Sequence, residues 1–443
     1  MSGLISFIEM SPASNADAYS WRVVDGELDE LLLDLSAVSL DGPRGVGKTT
    51  TALQRADTVF KLDDAHALEA IAANPQRLAA APGLTVIDEW QRFPPSWDIV
   101  RRAVDDDRRP GRFILTGSAS PSTRPTHSGA GRIVSVRMRP MALAERWWRP
   151  IFQEPTVSLS ALLAGLRPDI YGQTEAKLDD YVEAITTGGF PGMPHTSRRG
   201  TRASLSGYVN RIIDTDFADA GHTVRNPSGL KQWMTAYAAA SSSTASYEAI
   251  RDAATSGRGD KPSRQATVPY STTLERLWIL DPVPAWAPTR NRLAKLTGGP
   301  KHHLADPALA ATLLGIDADA LLDGQSAGPP IARDGSLLGH LFESLIALNL
   351  RVYAQASEAS VCHFRKQGNT REIDFIVVRP DDRVVAIETK LSRTVSGKDL
   401  RHLDWLRGEI GDDLLDAAVV TTGTSAYRRS DGIAVIPAAL LGP

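Results

Sequence analysis

A glycine-rich segment from Gly42 to Thr49 has the residue types and the spacing of a phosphate-binding loop. Its glycines keep side chains out of the turn, so that successive backbone amides can point at an anion. Lys48 is then placed to reach the β and γ phosphates of a nucleotide, and Thr49, at a helix start, to place its hydroxyl on Mg²⁺. The segment predicts that ATP and Mg²⁺ are bound through Gly42, Pro43, Arg44, Gly45, Val46, Gly47, Lys48, Thr49 and Thr50.

Two adjacent carboxylates, Asp88 and Glu89, follow the short apolar run from Leu84 to Ile87. This position at a strand end puts one carboxylate near the metal and the other near the attacking water. We expect Asp88 to hold the Mg²⁺ shell and Glu89 to act as the general base. The glutamate favours a hydrolase over the P-loop kinases and GTPases that lack it. An acidic strand end is common by itself, and the loop before it gives the pair its meaning.

Carboxylates and a lysine also mark two apolar segments near the C-terminal end, 372–378 and 384–390, which a turn joins into a predicted hairpin. Because side chains alternate along a strand, Glu388 and Lys390 share one face, where Asp374 of the partner strand can join them. Such a group can bind Mg²⁺, activate a water and stabilise charge on a phosphodiester. The hairpin therefore predicts metal-assisted hydrolysis.

The elements that position these residues follow from the order of apolar runs. The run 37–40 leads into the glycine-rich loop, and the runs 84–88 and 113–116 alternate with helical stretches, which predicts a parallel α/β sheet. The pattern turns helical from Leu159 to Ile213. A long amphipathic helix is expected from Leu337 to Tyr353, before the hairpin.

Three helical segments between Lys231 and Trp286 have the order of a winged helix, with helices expected at 244–254 and 267–277. In winged helices that bind DNA the third helix enters the major groove. This third helix offers few base-reading side chains, so a role as a protein contact stays open. Arg258, Lys261 and Arg264 lie just before this helix. Two basic clusters could track phosphates, although charge runs are more often solvated faces: Arg198, Arg199 and Arg202, and Arg290, Arg292, Lys295 and Lys301.

Composition sets limits on these interpretations. A chain of 443 residues exceeds one hydrophobic core, which predicts two to four domains. With 49 basic and 52 acidic residues there is no global positive field to attract nucleic acid, so a nucleic-acid site must be a local patch. The single cysteine, Cys362, forms no intrachain disulfide. Without a signal sequence or a membrane-spanning run, we expect a cytoplasmic protein with no membrane partner.

The chain resembles the AAA-type ATPases of bacteria and archaea that carry an uncharacterised C-terminal region built on a nuclease-like fold. The resemblance covers nearly the whole chain, and its marks are the segments 22–25, 40–50, 87–92, 113–118 and 131–132, followed by Pro140 and Glu145. It implies a polar sensor at the end of the fourth strand, either Thr116 or Ser118. It also implies that Arg132 reads the γ-phosphate, in cis or in a neighbouring subunit of a homo-oligomer.

The C-terminal hairpin resembles the PD-(D/E)XK nuclease fold. By that resemblance Asp374, Glu388 and Lys390 fill the signature, and Glu343, on the preceding helix, takes the additional acidic position. Asp374, Glu388 and Glu343 would then be metal ligands. A charged strand pair on a retained fold without chemistry is the competing interpretation.

The resulting expectation is an α/β protein of four units. These are an AAA-type P-loop domain (1–150), a helical linker or lid (151–227), a winged-helix-like domain (228–295) and a PD-(D/E)XK-like α/β domain (296–443). We predict an ATPase coupled to a C-terminal domain that handles nucleic acid, with DNA as a partner of the winged helix and the C-terminal region. The alternative is an ATP-driven regulatory switch in which the nuclease-like fold is inactive.

Overall fold

The computed structural model describes residues 19–118, 129–193, 197–222, 224, 226–254, 264–288, 298–323, 336–366 and 371–443. Several of the basic residues named above lie outside the described residues: Arg258, Lys261, Arg290, Arg292 and Lys295. The side chain of Arg264 is likewise outside them.

The first sheet has five strands, all parallel, in the order β2-β3-β4-β1-β5. The strands are β1 Ala37–Asp41, β2 Thr58–Lys61, β3 Thr85–Asp88, β4 Phe113–Gly117 and β5 Val134–Arg137. Parallel strands end at the same edge, and the register pairs Asp88 with Thr116 and Asp41 with Gly117 there. The predicted parallel α/β sheet is confirmed.

Helices alternate with the strands β1, β3 and β4 as the pattern predicted, whereas the strands β2 and β5 were not predicted. The helices are α1 Val23–Asp34, α2 Lys48–Leu53, α3 Ala65–Ala73, α4 Arg77–Ala80 and α5 Pro95–Asp106. The helix α5 begins with proline, whose missing amide proton is no loss in a first turn. It buries Trp97, Val100 and Val104 against the sheet.

A helical region follows a two-residue strand, β6 Val157–Ser158. Its helices are α6 Leu159–Leu163, α7 Leu178–Thr187, α8 Arg198–Arg211 and α9 Phe217–Asp219. Between the last two the chain forms a π-helical turn, Ile212–Asp216. Such turns are rare in helices and are frequent at functional sites.

The middle of the chain contains the three predicted helices, α10 Pro227–Ala239, α11 Tyr247–Ala253 and α12 Arg264–Arg276. The helix α11 begins after Ser246 rather than at Thr244, because the Ser246 hydroxyl accepts a hydrogen bond from the amide of Ala249 and caps the helix. Two isolated antiparallel bridges follow, Leu280 with Leu304 and Val283 with Lys301. The assignment as a winged helix stays a prediction.

The C-terminal part contains three helices before a second sheet, α13 Pro307–Leu314, α14 Ala318–Asp323 and α15 Ser336–Ala356. The sheet has the order β11-β12-β10-β9-β8-β7. Its strands are β7 Ser360–Arg365, β8 Glu372–Val378, β9 Val384–Lys390, β10 Leu414–Thr421, β11 Tyr427–Arg428 and β12 Ala434–Pro437, with α16 Gly397–Ile410 between β9 and β10. Strands β8 and β9 pair antiparallel, so the predicted hairpin is confirmed.

Side-chain alternation along β8 explains why this sheet is covered on both faces. Phe375 and Val377 pack in the core that contains α15, whereas Ile376 and Val378 pack in the core that contains Leu403 of α16. A near-continuous apolar run is the expected sequence of a strand that is buried on both sides.

Packing continues across the predicted unit boundaries. One hydrophobic core includes residues of the first sheet, the helical region and α15. The terminal strand β13 Leu441–Gly442 pairs with β6, near residue 157. The division into four units therefore stays a prediction. In the part of the chain that the structure describes, no helix is long and apolar enough to cross a membrane.

Candidate functional site

The glycine-rich loop connects β1 to α2 with two glycines in the left-handed region, Gly45 at φ 77° and Gly47 at φ 101°. A Cβ atom at Gly42 would collide with the carbonyl oxygen of Met138. The loop is also held from outside, because the Arg22 guanidinium donates to the Val46 carbonyl at 2.8 Å. The glycines are therefore required by backbone conformation and close packing as well as by access of an anion.

Lys48 lies inside the loop, and its Nζ donates to the carbonyl oxygens of Gly42 and Pro43, each at 2.8 Å. Burial lowers the pKa of Lys48 to about 8, even though the carboxylates of Glu89, Asp41 and Asp88 act in the opposite direction. The ammonium is thus satisfied by weak neutral acceptors. A triphosphate offers it a stronger, charged partner.

Asp88 joins the loop to the sheet edge. Its Oδ1 accepts a hydrogen bond from the Thr49 hydroxyl at 2.6 Å and another from the Thr116 hydroxyl. A hydroxyl and a carboxylate oxygen side by side are the hard oxygen ligands that Mg²⁺ takes at nucleotide sites, where phosphates and water complete its shell. Thr49 and Asp88 therefore fit the predicted ion.

Glu89 takes a left-handed conformation at φ 54°, which is uncommon for a residue with a side chain. Its Oε2 accepts a hydrogen bond from the side-chain nitrogen Nε2 of Gln91 at 2.5 Å, and the Ser118 hydroxyl lies 3.4 Å from the same oxygen. Strained backbone of this kind persists where surrounding contacts determine it, and it clusters at functional sites. The two candidates for the sensor thus have different partners, since Thr116 contacts Asp88 and Ser118 faces Glu89.

A cavity of about 600 Å³ opens over the loop and Glu89, within the size range of ligand pockets. Three of its lining residues, Arg92, Trp147 and Arg211, were not predicted as site residues. Arg92 is the last residue of the motif segment 87–92 and Trp147 follows Glu145 by two positions, and these places in the sequence were the available signal. Arg211 comes from α8, and no local pattern connected it with the loop.

Arg44 links the loop to the helical region. Its guanidinium donates to Asp216 at 2.5 Å and to Asp219 at 3.0 Å, and its Nε lies 3.4 Å from the Ser118 hydroxyl. The carbonyl of Arg44 accepts a hydrogen bond from the Tyr208 hydroxyl at 3.0 Å. The loop and the segment from α8 to α9 are therefore joined by charged and neutral hydrogen bonds.

Arg132 lies away from this cavity. Its Nε donates to Asp105 Oδ1 at 2.8 Å, near the C-terminal end of α5. Arg132 also precedes the first residue of β5 by two positions, and parallel strands begin at the edge opposite to the one where the loop follows β1. Within one chain Arg132 is not a lining residue of the cavity. Its predicted role in trans stays a prediction.

The C-terminal hairpin brings its predicted residues close together. Lys390 Nζ lies 3.7 Å from Glu388 Oε2, and Asp374 Oδ2 accepts hydrogen bonds from the amide and the hydroxyl of Thr389, both at 2.8 Å. Burial, and then the neighbouring Asp374, raise the pKa of Glu388 well above its ordinary value. Oε1 of Glu388 is buried and accepts no hydrogen bond from a described residue.

Lys301 is the residue of this cluster that sequence analysis placed wrongly, in a basic run expected to be solvated. Its side chain is 1% exposed, and its Nζ lies 2.7 Å from Glu343 Oε1, 3.1 Å from Glu372 Oε1 and 3.5 Å from Asp374 Oδ1. Burial alone would lower the pKa of Lys301, but these carboxylates raise it above its ordinary value.

Burial also raises the pKa of Glu343 to about 8, against the effect of Lys301. The raised pKa of Lys301 favours the charged ammonium, whereas the raised pKa of Glu343 favours the neutral carboxyl group. At 2.7 Å an ion pair gives both buried groups a partner of opposite charge, so the contact joins an ammonium to a carboxylate. Among the described residues, no group of three or more His, Cys, Asp or Glu side chains is arranged to hold a metal ion. The predicted metal site of Glu343, Asp374 and Glu388 stays a prediction.

The parallel sheet, the loop and the acidic pair all lie within one stretch of the chain, from residue 35 to residue 147. Residues 35–147 match the model of an AAA domain family. Two further models, each described as a domain of unknown function, match residues 178–320 (DUF8612) and 338–441 (DUF4143).

Relatives extend over most of the chain. The chain is 23% identical over 416 residues to uncharacterized protein Rv2008c of Mycobacterium tuberculosis and, equally, to uncharacterized protein Mb2031c of Mycobacterium bovis, covering 90% of this chain and 80% of each relative. Among solved structures, the Walker-type ATPase paby2304 of Pyrococcus abyssi is 13% identical with a TM-score of 0.36, over 69% of this chain and 99% of that one.

Proposed function

We propose that this protein hydrolyses ATP with Mg²⁺ at the loop, and that its helical region responds to the bound nucleotide. The observation that carries the proposal is the arrangement at the sheet edge. Asp88 accepts hydrogen bonds from the loop threonine and from Thr116, and the adjacent Glu89 faces the same cavity.

Binding rests on the loop and on Lys48. The glycine-rich backbone presents amides to the phosphates, and the start of α2 adds a favourable dipole. Lys48 would exchange the carbonyl oxygens of Gly42 and Pro43 for anionic oxygens of the β and γ phosphates. Thr49 and Asp88 would hold Mg²⁺, which would neutralise negative charge on the phosphates.

Hydrolysis rests on Glu89. Its carboxylate lines the cavity and is oriented by Gln91, so it is placed to take a proton from a water that attacks the γ-phosphate. Because the carboxylate is oriented by both its backbone and a side chain, little rearrangement is needed when substrate enters. Thr116 or Ser118 would contact the γ-phosphate or this water.

Coupling rests on Arg44. This loop residue contacts Asp216 and Asp219 in the helical region, and it also approaches Ser118, which faces Glu89. A nucleotide that moves the loop changes the contacts of Arg44, so the segment from α8 to α9 is the part of the chain that responds first. Such a response of the helical region to nucleotide is the behaviour of an ATP-driven switch.

DNA handling by the middle and C-terminal units stays a prediction. The test is phosphate release by the full chain with Mg²⁺, measured without DNA and with single-stranded or duplex DNA, with Lys48→Ala as the inactive control. Turnover that is lost in the control supports the ATPase. Stimulation by DNA favours coupling to nucleic acid, and unchanged turnover favours the switch. Absence of nucleotide turnover in every condition contradicts the proposed hydrolysis.

A further inference from the structure

Lys301 is fixed in position by its backbone as well as by its charge. Its amide and carbonyl both bond to Val283, at 2.8 Å each, in an isolated antiparallel bridge. The flanking residues His302 and His303 are buried. The side chain therefore enters the carboxylate cluster from a segment that cannot swing away without breaking this bridge.

Several of the oxygens that a metal would need already have partners. Glu343 Oε1 and Asp374 Oδ1 lie at 2.7 and 3.5 Å from the Lys301 ammonium, and Asp374 Oδ2 accepts two hydrogen bonds from Thr389. Oε1 of Glu388 is buried without a hydrogen bond from a described residue, and His402 Nδ1 lies 3.8 Å from it. A divalent cation at this position would meet an ammonium within a few ångströms, where like charges repel strongly because the surroundings are poorly solvated.

We infer that the Lys301 ammonium takes the place of a divalent cation among Glu343, Glu372 and Asp374. The C-terminal carboxylates then form an ionic joint and not a metal site. The joint connects three separate segments. These are the segment of Lys301 that is bridged to Val283, the helix α15 through Glu343 and the strand β8 through Asp374. Removing the ammonium would leave the buried Glu343 and the partly buried Asp374 and Glu372 without this counter-charge, which a metal ion could supply.

The test uses Mn²⁺ alone as the probe, with the full chain and without nucleotide. Isothermal titration compares the wild-type protein, Asp374→Asn, Lys301→Met and the double variant. Binding by the nucleotide loop is common to all four proteins and cancels in the comparison. Lys366→Met is the matched control, since Lys366 is exposed and lies next to the end of β7.

We expect identical isotherms for the wild-type protein and Asp374→Asn. Lys301→Met should gain about one Mn²⁺ per chain, which the added Asp374→Asn change removes, and Lys366→Met should gain none. Mn²⁺ binding by the wild-type protein that Asp374→Asn abolishes would overturn the inference, and this comparison does not require Lys301→Met to fold. A folded Lys301→Met protein that gains no Mn²⁺ would overturn it as well. Neither result depends on ATP hydrolysis.

Discussion

Lys48 must leave two carbonyl oxygens before it can hold a triphosphate. Its pKa of about 8 in the free protein results first from burial. Phosphate oxygens would raise that pKa in the complex, because opposite charge favours the ammonium. ATP binding should therefore be coupled to proton uptake whenever the solution pH exceeds about 8.

The affinity for ATP should depend on the protonation of Lys48 only above the pKa of this group in the free protein. Below the pKa of the free protein Lys48 is protonated in both states, and affinity is insensitive to this group. Above it, binding must first protonate the amine, so the Kd for ATP should rise by up to about tenfold per pH unit. Titration calorimetry between pH 7 and 9.5, in buffers of different ionisation enthalpy, measures both the Kd and the proton uptake.

Lys48→Arg is the matched control for this experiment, because a guanidinium stays protonated over the whole range. If the arginine protein binds ATP, its Kd should lose the dependence on pH above 8. A wild-type Kd that is constant up to pH 9.5, without proton uptake, would show that Lys48 is not the group described here.

At the scale of elements, local patterns predicted the strands β1, β3 and β4, the helix α15 and the hairpin of β8 and β9, whereas the strands β2, β5, β7 and β10 were not predicted. The apolar runs of the first sheet, the long helix before the hairpin and the hairpin itself depend on periodicity and turn composition, which are properties of neighbouring residues. The same holds for the loop with Asp88 and Glu89. Their chemistry follows from their place at a strand end.

Contacts between distant elements could not be predicted in this way. Lys301 meets Glu343 and Asp374 across 42 and 73 positions, and Arg44 meets Asp216 across 172. In the sequence alone Lys301 is one of four basic residues spread between positions 290 and 301. Its burial becomes visible only when the bridge to Val283 and the strand β8 are placed side by side.

The contact of Arg44 with the helical region leads to a prediction about coupling. A non-hydrolysable ATP analogue should slow amide exchange in peptides covering 198–219 of the wild-type protein. In Arg44→Ala this response should weaken, because the ion pairs with Asp216 and Asp219 are lost while the hydrogen bond from Tyr208 to the backbone carbonyl of residue 44 remains. Hydrogen-exchange mass spectrometry measures the response at each peptide.

The control variant for this prediction is Arg383→Ala. Arg383 forms an exposed ion pair with Asp381 in the hairpin turn, 2.7 Å apart, and has no contact with the loop. The Arg383→Ala protein should respond to nucleotide as the wild-type protein does. An undiminished response of segment 198–219 in Arg44→Ala protein that still binds the analogue would contradict the coupling.

At the scale of the whole molecule, Arg132 raises the question of assembly. It lies at the sheet edge opposite to its own loop, so any contact with a γ-phosphate requires a second chain. We expect Arg132→Ala to lower turnover by about 10³, the order found for arginine fingers. Arg109→Ala is the control, since Arg109 is an exposed arginine of the same unit that pairs with Asp107.

Mixing two inactive proteins separates a role in trans from a structural one. Glu89→Gln keeps Arg132 but lacks the base, and Arg132→Ala keeps the base. If Arg132 acts across an interface, mixed assemblies should recover turnover that neither protein shows alone. Wild-type turnover by a monomeric Arg132→Ala protein would exclude the arginine from catalysis.

If Glu89 is the base that makes the nucleotide-binding loop a hydrolytic site, Glu89→Gln should separate binding from turnover. This protein should bind Mg-ATP with a Kd close to that of the wild-type protein, while phosphate release falls by about 10² to 10⁴. The amide is nearly isosteric and keeps the contacts of the cavity, but it cannot accept the proton. Phosphate release by Glu89→Gln at the wild-type rate would contradict the account.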